Sequence, residues 1–424
     1  MRLPEGLAAF HHRNFRLFWT GMLVSLIGTW MQSVGQAWLV LQLTNDPLAL
    51  GIIAVAQFGP IMFLGPIGGI VADSVSKRKA LVITQTTSGL LALILAILYV
   101  TGQVQVWHIF ALALGMGVVN SFDMPIRQAF VFEMVGREDL PNAVALNSTV
   151  FNITRIIGPA IAGLTIAGIG IQPLFFVNAV SYVAVVISLV MMRPSEMHAP
   201  TERAVVSRSI GSVVDLLVEG FRYTRGNPRI LLVIVTVGLV STFAMNYSVL
   251  IPVVARDVLH GDADTYGFLM SAAGLGSLVS ALSIAFRRTA SMGRLFMGAA
   301  LVGLAMVGVG VSRWLPLSLA MMFVAGWGGI SMAATANTTI QLAVPDILRG
   351  RVVSLYTTVF VGSTPIGGLF SGLIASGFGG APAALVVGGS LATLAAIGAW
   401  LRLPDRAHLG PAASQLLHRP ARNR

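Results

Sequence analysis

The chain has 424 residues, of which 55% are hydrophobic and only 10% charged, with 46 glycines and no cysteine. A soluble domain carries roughly 25% charged residues, so most of this chain belongs in lipid, and disordered, collagen-like and disulfide-stapled classes are excluded. Without cysteine there is no thiolate metal site and no cysteine nucleophile. The 27 Lys and Arg against 16 Asp and Glu would point to nucleic acid in a soluble protein, but in a membrane protein they are read by position along the chain.

A spanning helix takes about 20 apolar residues, and this length accommodates a dozen spans at roughly 35 residues each with their connections. Apolar runs bounded by charges or by Gly and Pro predict them at 15–43, 47–72, 79–101, 105–132, 141–168, 172–192, 228–255, 265–286, 292–312, 315–344, 353–376 and 381–402. The first run follows His11, His12 and Arg13 and holds no small-residue cleavage site, so it reads as a retained helix and not a signal peptide.

With the N-terminus in the cytoplasm, that side receives Arg2, Arg13, Arg16, Lys77, Arg78, Lys79, Arg137, Arg287, Arg288, Arg294, Arg349 and Arg351, and the other side little more than Arg256 and Arg313. The asymmetry places both chain ends in the cytoplasm. The longest polar stretch divides the chain, giving a first six-helix bundle at 1–192, a cytoplasmic linker at 193–227, a second bundle at 228–403 and a cytoplasmic tail at 404–424. Within the linker Ile210, Val214, Leu217 and Phe221 recur at helical spacing beneath Arg208, Arg222 and Arg225. That pattern suits either an amphipathic helix on the inner leaflet or a plain flexible linker.

An internal repeat supports two halves. Thr149-Val150-Phe151 recurs as Thr358-Val359-Phe360, and Gly158 and Gly163 recur at the same spacing as Gly367 and Gly372. Repeats of an even number of spans keep one orientation, so the halves relate by an axis along the membrane normal. The predicted fold is an all-α membrane protein of twelve helices in two pseudo-symmetric six-helix bundles.

Polar residues inside the spans carry the functional reading. Span four sets Asn120, Asp123 and Arg127 on one face, where the last two can pair along the helix. Span five sets Ser148, Asn152, Arg155 and Pro159 on one stripe, and Arg155 lies about 22 Å into the helix at 1.5 Å per residue. A charge there costs on the order of 3 kcal/mol in lipid, so these faces look into the bundle or a wet cavity. Asp123 is either a gate residue or half of a structural ion pair. Arg155 either holds an anionic group of a substrate or neutralises an acid in one conformation. Gln32 and Gln36 share a face with Ser25 and Thr29 in span one, Asn246 with Thr242 in span seven, and Thr335 and Thr338 with Ser331 in span ten. They are candidate cavity residues, although small polar residues also serve as helix glue. Span three carries Thr84, Gln85, Thr86, Thr87 and Ser88 in one half, which suggests only interhelical hydrogen bonding. Trp30, Met31, Trp38, Phe58, Met245, Tyr247 and Trp327 suit an adaptable apolar wall.

The loop after span two reads Gly69-Ile-Val-Ala-Asp73-Ser-Val-Ser-Lys77-Arg78-Lys79, and the chain also contains Asp123-Met-Pro125-Ile-Arg127-Gln, Gly136-Arg-Glu-Asp-Leu-Pro-Asn-Ala143, Arg155-Ile-Ile-Gly158-Pro159, Glu219-Gly-Phe-Arg-Tyr223 and Val344-Pro-Asp-Ile-Leu-Arg-Gly350-Arg351. Over essentially its whole length the chain resembles the major facilitator superfamily. The ordered set is similar to the bacterial exporter branch that includes enterobactin exporters and macrolide efflux proteins. Ser74 and Ser76 stand where that superfamily has a basic residue and a glycine, and Thr154 replaces a glycine of its antiporter motif.

The resemblance implies a monomeric transporter in the bacterial inner membrane that exports a drug or siderophore through a cavity lined by spans one, four, seven and ten. It implies gating or coupling at Asp73, Lys77, Asp123, Arg127 and Glu133, helix packing at Gly158, Pro159, Gly163, Gly367 and Gly372, and proton antiport. Its partners would be a small-molecule substrate, protons and lipid, with no nucleic acid. No phosphate-cradling loop and no soluble stretch long enough for a nucleotide-binding domain appears, so direct ATP drive is excluded. Histidines fall at span ends, the terminus or the linker with no HxxxH or ExxH pair, which argues against an embedded enzyme and against any metal or other cofactor. An ion-coupled importer and a non-transporting receptor are the rival readings.

Overall fold

The computed structural model describes residues 5–198, 210–285 and 291–403. The predicted tail at 404–424 and Arg208 of the linker lie outside them. Among the described residues all regular structure is helical. Helices α1 (Arg13–Thr44), α2 (Pro47–Ser74), α3 (Lys77–Val100), α4 (Val106–Val135), α5 (Leu140–Ile169) and α6 (Gln172–Val190) form the first six spans. Helix α7 (Ile210–Gly226) lies in the linker. The second half comprises α8 (Pro228–Ala244) and α9 (Tyr247–Val253), which share one span, then α10 (Ala263–Ala285), α11 (Met292–Val311), α12 (Leu315–Ala343), α13 (Asp346–Gly377) and α14 (Gly380–Leu401). In all, 12 segments of the described chain are long and apolar enough to cross a membrane.

The helix ends follow local chemistry. Asn45 closes α1 in the left-handed region at φ 51°, where Asn is tolerated. Asp46 then caps α2 by accepting from Leu48 N at 2.9 Å, with Pro47 in the first turn. Asn227 caps α8 in the same way, through Arg229 N and Ile230 N. His260 repeats the positive φ of Asn45 at 51° in the corresponding turn of the second half.

Two spans differ from their apolar runs. Helix α13 starts at Asp346, well before the run predicted at 353–376, because its first turns carry Arg349 and Arg351 and stand beyond the apolar window. The seventh span, predicted as one run at 228–255, comes apart at Met245 (φ −103°, ψ 28°) and Asn246 (φ −94°, ψ 48°). After α9, which contains Pro252, it ends in a π turn at Val254–Val258. A hydropathy run carries no sign of either feature, because breaking a helix in lipid is a matter of who satisfies the freed carbonyls. Here the Asn246 side-chain amide donates to Thr242 O at 2.7 Å.

With 12 candidate spans, the described chain begins and ends on one face, called here the terminus face; the other is the far face. The largest apolar cluster joins the halves: Met31, Val34, Trp38, Leu50 and Phe175 of the first half pack with Val237, Tyr247, Val254, Tyr266 and Leu269 of the second, and in the second half alone the cluster continues to Ile230, Val344, Val352 and Leu403 at the terminus face. Toward the terminus face the first half has a separate core of Phe15, Phe18, Met22, Leu81, Ile126, Phe130 and Met134, joined to nothing in the second half. The halves are therefore welded at the far side and parted at the terminus side. Helix α7 belongs to the second half: Glu219 pairs with Arg351, and a Cβ on Gly220 would stand 2.8 Å from Arg351 O. Its Phe221 is 54% exposed, an apolar surface left for lipid.

Candidate functional site

The halves meet along two crossings. In the first, α2 meets α13: a Cβ on Gly51 would come within 2.5 Å of Gly368 O, and one on Gly372 within 3.0 Å of the Leu48 Cα. In the second, α10 meets α5: a Cβ on Gly267 would stand 2.5 Å from Pro159 O, and one on Gly163 would stand 2.9 Å from the Asp264 Cα. Small residues let the backbones touch where no hydrophobic force draws helices together. Ser271 Oγ adds a bond to Ile156 O at 2.8 Å.

At the far face the second half caps both ends of the α1–α2 turn. Arg256 Nη1 donates to Leu41 O at 3.2 Å and to Asn45 Oδ1 at 2.8 Å, while Asp257 takes its Nε at 2.6 Å and Nη2 at 3.1 Å. A cation on the last carbonyls of α1 complements the helix dipole. Ser376 of α13 accepts from Leu48 N at 3.0 Å and bonds to Asp46, so it sits on the start of α2. A polar pocket of about 680 Å³ opens beside these contacts, lined among others by Asn45, Asp257, His260 and Arg313.

Arg155 lies where the crossings run out toward the terminus face. Its guanidinium sits 6.0 Å from the centroid of the Trp30 ring, a cation–π placement, and Phe151 meets the same indole edge-on with centroids 6.0 Å apart. Gly158 makes room for this, since any side chain there would strike Trp30. Across the interface Tyr247 lies within electrostatic reach of Arg155, and its buried hydroxyl has no hydrogen-bond partner among the described residues. Among the described residues Arg155 has no carboxylate partner and makes no hydrogen bond.

Asp123 is different in kind. It is 1% exposed, yet accepts from Thr84 Oγ1 at 2.7 Å, from Gln85 Nε2 at 2.8 Å, and from Arg127 of its own helix. A carboxylate in lipid costs about 3 kcal/mol; one charge-assisted bond of roughly 1.5–3 kcal/mol and two neutral donors offset that cost. The span-three polar cluster thus has a partner, which the sequence did not disclose. Lys77 pairs with Glu133 at 2.8 Å rather than with Asp123. Arg78 donates to the Leu189 and Val190 carbonyls at 2.6 and 2.7 Å and caps α6. Asp73 is exposed. All these contacts stay within the first half.

The remaining expected residues scatter. Gln32 is buried against α6, accepting from Asn178 Nδ2 at 2.7 Å, and so faces away from Arg155. Gln36 is half-buried and makes no hydrogen bond to the described residues. Asn152 donates to Ser148 O at 2.8 Å and Thr338 to Ala334 O at 2.9 Å, each within its own helix. Thr335 is buried on the stripe of Gly328 and Ser331, which faces α11. Asn246 packs on Gly367 at the break in span seven. Of the apolar wall, Met31 and Trp38 are core residues, whereas Trp30, Met245 and Tyr247 adjoin the break or Arg155. Arg256, Asn178 and Ser376 carried no signal beyond being polar, because their roles depend on which helix faces them.

A family model described as transmembrane secretion effector matches residues 5–423. The chain is 25% identical over 369 residues to the staphyloferrin A transporter of Staphylococcus aureus, covering 86% of this chain and 90% of that one. It is 28% identical over 361 residues to the multidrug efflux pump Tap of Mycolicibacterium fortuitum, covering 83% and 87%. To the enterobactin exporter EntS of Escherichia coli it is 25% identical over 364 residues, with 85% of each chain covered. Among solved structures the nucleoside transporter NupG superposes with a TM-score of 0.74 at 12% identity, covering 92% of this chain and 100% of that one; that likeness concerns the fold alone.

Proposed function

The chain belongs to the transmembrane secretion effector family of the major facilitator superfamily, and from that premise we propose that it exports a small amphipathic molecule with an anionic group out of the bacterial cytoplasm by alternating access. One observation carries the reading: the halves are joined at the far face and parted at the terminus face, with an uncompensated Arg155 where they converge. That the basic residues Lys77, Arg78, Lys79, Arg137 and Arg351 lie on the terminus face supports a cytoplasmic location for it. The crevice then faces the compartment from which an exporter loads. The staphyloferrin A, enterobactin and multidrug relatives support small amphipathic cargo.

Arg155 holds the anionic group, because a guanidinium presents five donors in a rigid fork suited to a carboxylate. Proton antiport supplies the energy, with Asp123 and Glu133 as the carboxylates set within the first-half helices, each beside a cation that protonation would release. The protein acts as a monomer in this scheme. Its test is flux in proteoliposomes. Arg155→Gln should lose efflux at least about ten-fold, the worth of a charge-assisted bond, at unchanged membrane level. A pH gradient alone should drive cargo outward in the parent and not in Asp123→Asn. Cargo moving only inward, or unaffected by either substitution, would overturn the reading.

A further inference from the structure

Two polar groups in the middle of the molecule lack what buried polar groups ordinarily have. The Arg155 guanidinium carbon lies 6.0 Å from the centroid of the Trp30 ring, and its donors have no partner among the described residues. The Tyr247 hydroxyl, in a residue 6% exposed, is buried with no hydrogen-bond partner among the described residues. An orphaned buried hydroxyl is uncommon and calls for an explanation. The two groups belong to opposite halves, one on α5 and the other the first residue of α9, and lie within electrostatic reach of each other.

We infer that Arg155 and Tyr247 together take one planar aromatic anion, with the acid group shared between guanidinium and hydroxyl and the ring against Phe151 and Trp30. The inference rests on the proposed export function and narrows it to a substrate class. The guanidinium fork selects a planar oxyanion. The apolar side is supplied by Phe151, which stands one turn before Arg155 on the same helix face and is 47% exposed. Trp30 fixes the position of both, touching each ring or charge at 6.0 Å.

The location gives such binding a consequence. Tyr247 follows directly on the break at Met245 and Asn246, where no helical hydrogen-bond ladder has to be undone before the start of α9 shifts. Drawing the hydroxyl onto the anion therefore joins the halves at mid-depth and pulls on the start of α9. Span one offers no such movement, because α1 runs unbroken from Arg13 to Thr44. Occupancy by an anion, and not by a neutral analogue, would favour closure at the terminus face.

The experiment uses the full-length protein in nanodiscs, titrated calorimetrically with 1-naphthoate and with its neutral amide, 1-naphthamide. The parent should bind naphthoate at least about ten-fold more tightly. Arg155→Gln should erase that preference, and Arg155→Lys, which keeps the charge but loses the fork, should retain part of it. Tyr247→Phe should weaken naphthoate about five-fold or more while leaving naphthamide affinity unchanged. Without ligand Tyr247→Phe should melt at or above the parent temperature, since it removes an unpaired hydroxyl; this separates a binding role from a structural one. Equal affinity for the two probes, no saturable naphthoate binding, or parent-like naphthoate binding by Tyr247→Phe would each overturn the inference. Flux of a neutral amphipath from everted vesicles, with no preference for anions, would do the same while leaving export intact.

Discussion

Span one and span seven occupy equivalent places in the two halves, and a glycine marks each. Gly158 of α5 packs on Trp30 and Ile27 of α1; Gly367, its repeat in α13, packs on Thr242 and Asn246. Helix α1 passes this point intact, whereas span seven comes apart at it. The same need for close backbone approach is thus met by two chemistries. The intact helix offers an indole near a charge, and the broken one offers an amide that covers its own freed carbonyl and a buried tyrosine beyond. The crossings repeat the equivalence without the difference: Gly163 against Asp264 and Gly267 matches Gly372 against Leu48 and Gly51. Symmetry is kept along the crossings and is lost beside Arg155.

The strongest way to break this comparison is to block the crossings. Gly51→Leu and Gly267→Leu each place a side chain against a carbonyl 2.5 Å from the first added carbon. Each should reduce transport more than about ten-fold and raise thiol labelling of a cysteine placed at the far face, a clean readout in a chain with no native cysteine. Loss of transport from only one of the two variants would show that the crossings are not equivalent. A smaller effect separates the two spans themselves. Asn246→Leu strips the cover from Thr242 O and should cost about 1–3 kcal/mol of stability, read as a lowered melting temperature. Trp30→Leu should cost less in melting temperature, about 0.5–2 kcal/mol of cation–π contact, but should weaken anion binding. Equal thermal losses would mean that the break in span seven carries no special polar debt. The smallest effect is at the far-face cap. Ser376→Ala removes two exposed hydrogen bonds at the start of α2, one from Leu48 N and one to the Asp46 carboxylate, about 0.5–1.5 kcal/mol for the pair where solvent screens it, and should raise far-face labelling by about two- to ten-fold. Unchanged labelling would leave closure to the glycine crossings alone.

The spans were legible because each is written in its own residues: Pro47–Ser74 and Gln172–Val190 fall almost on their apolar runs. So was the depth of Arg155 in span five, whereas whether an acid paired with it was left open by the sequence. The partner sets were not. The polar run Thr84–Ser88 was visible, but its target Asp123 lies on another helix, and either neighbour of span three would have fitted equally well from sequence. Gln32 shared a stripe with Gln36, yet a single rotation of α1 directs it at Asn178. The break at Met245 and Asn246 escaped because neither residue is a proline or a glycine, and an asparagine in an apolar run reads as a cavity residue before it reads as a cap.

Sequence by itself determined that the chain crosses a membrane twelve times, that its halves repeat, and which face carries the basic residues, because insertion responds to local apolar length and to charge at the ends of each span. Only the tertiary structure decided which polar residues look at one another, where span seven parts, and that the halves close on the far side. The rotation of a helix about its axis is set by the neighbours it packs against, and no single helix contains that information.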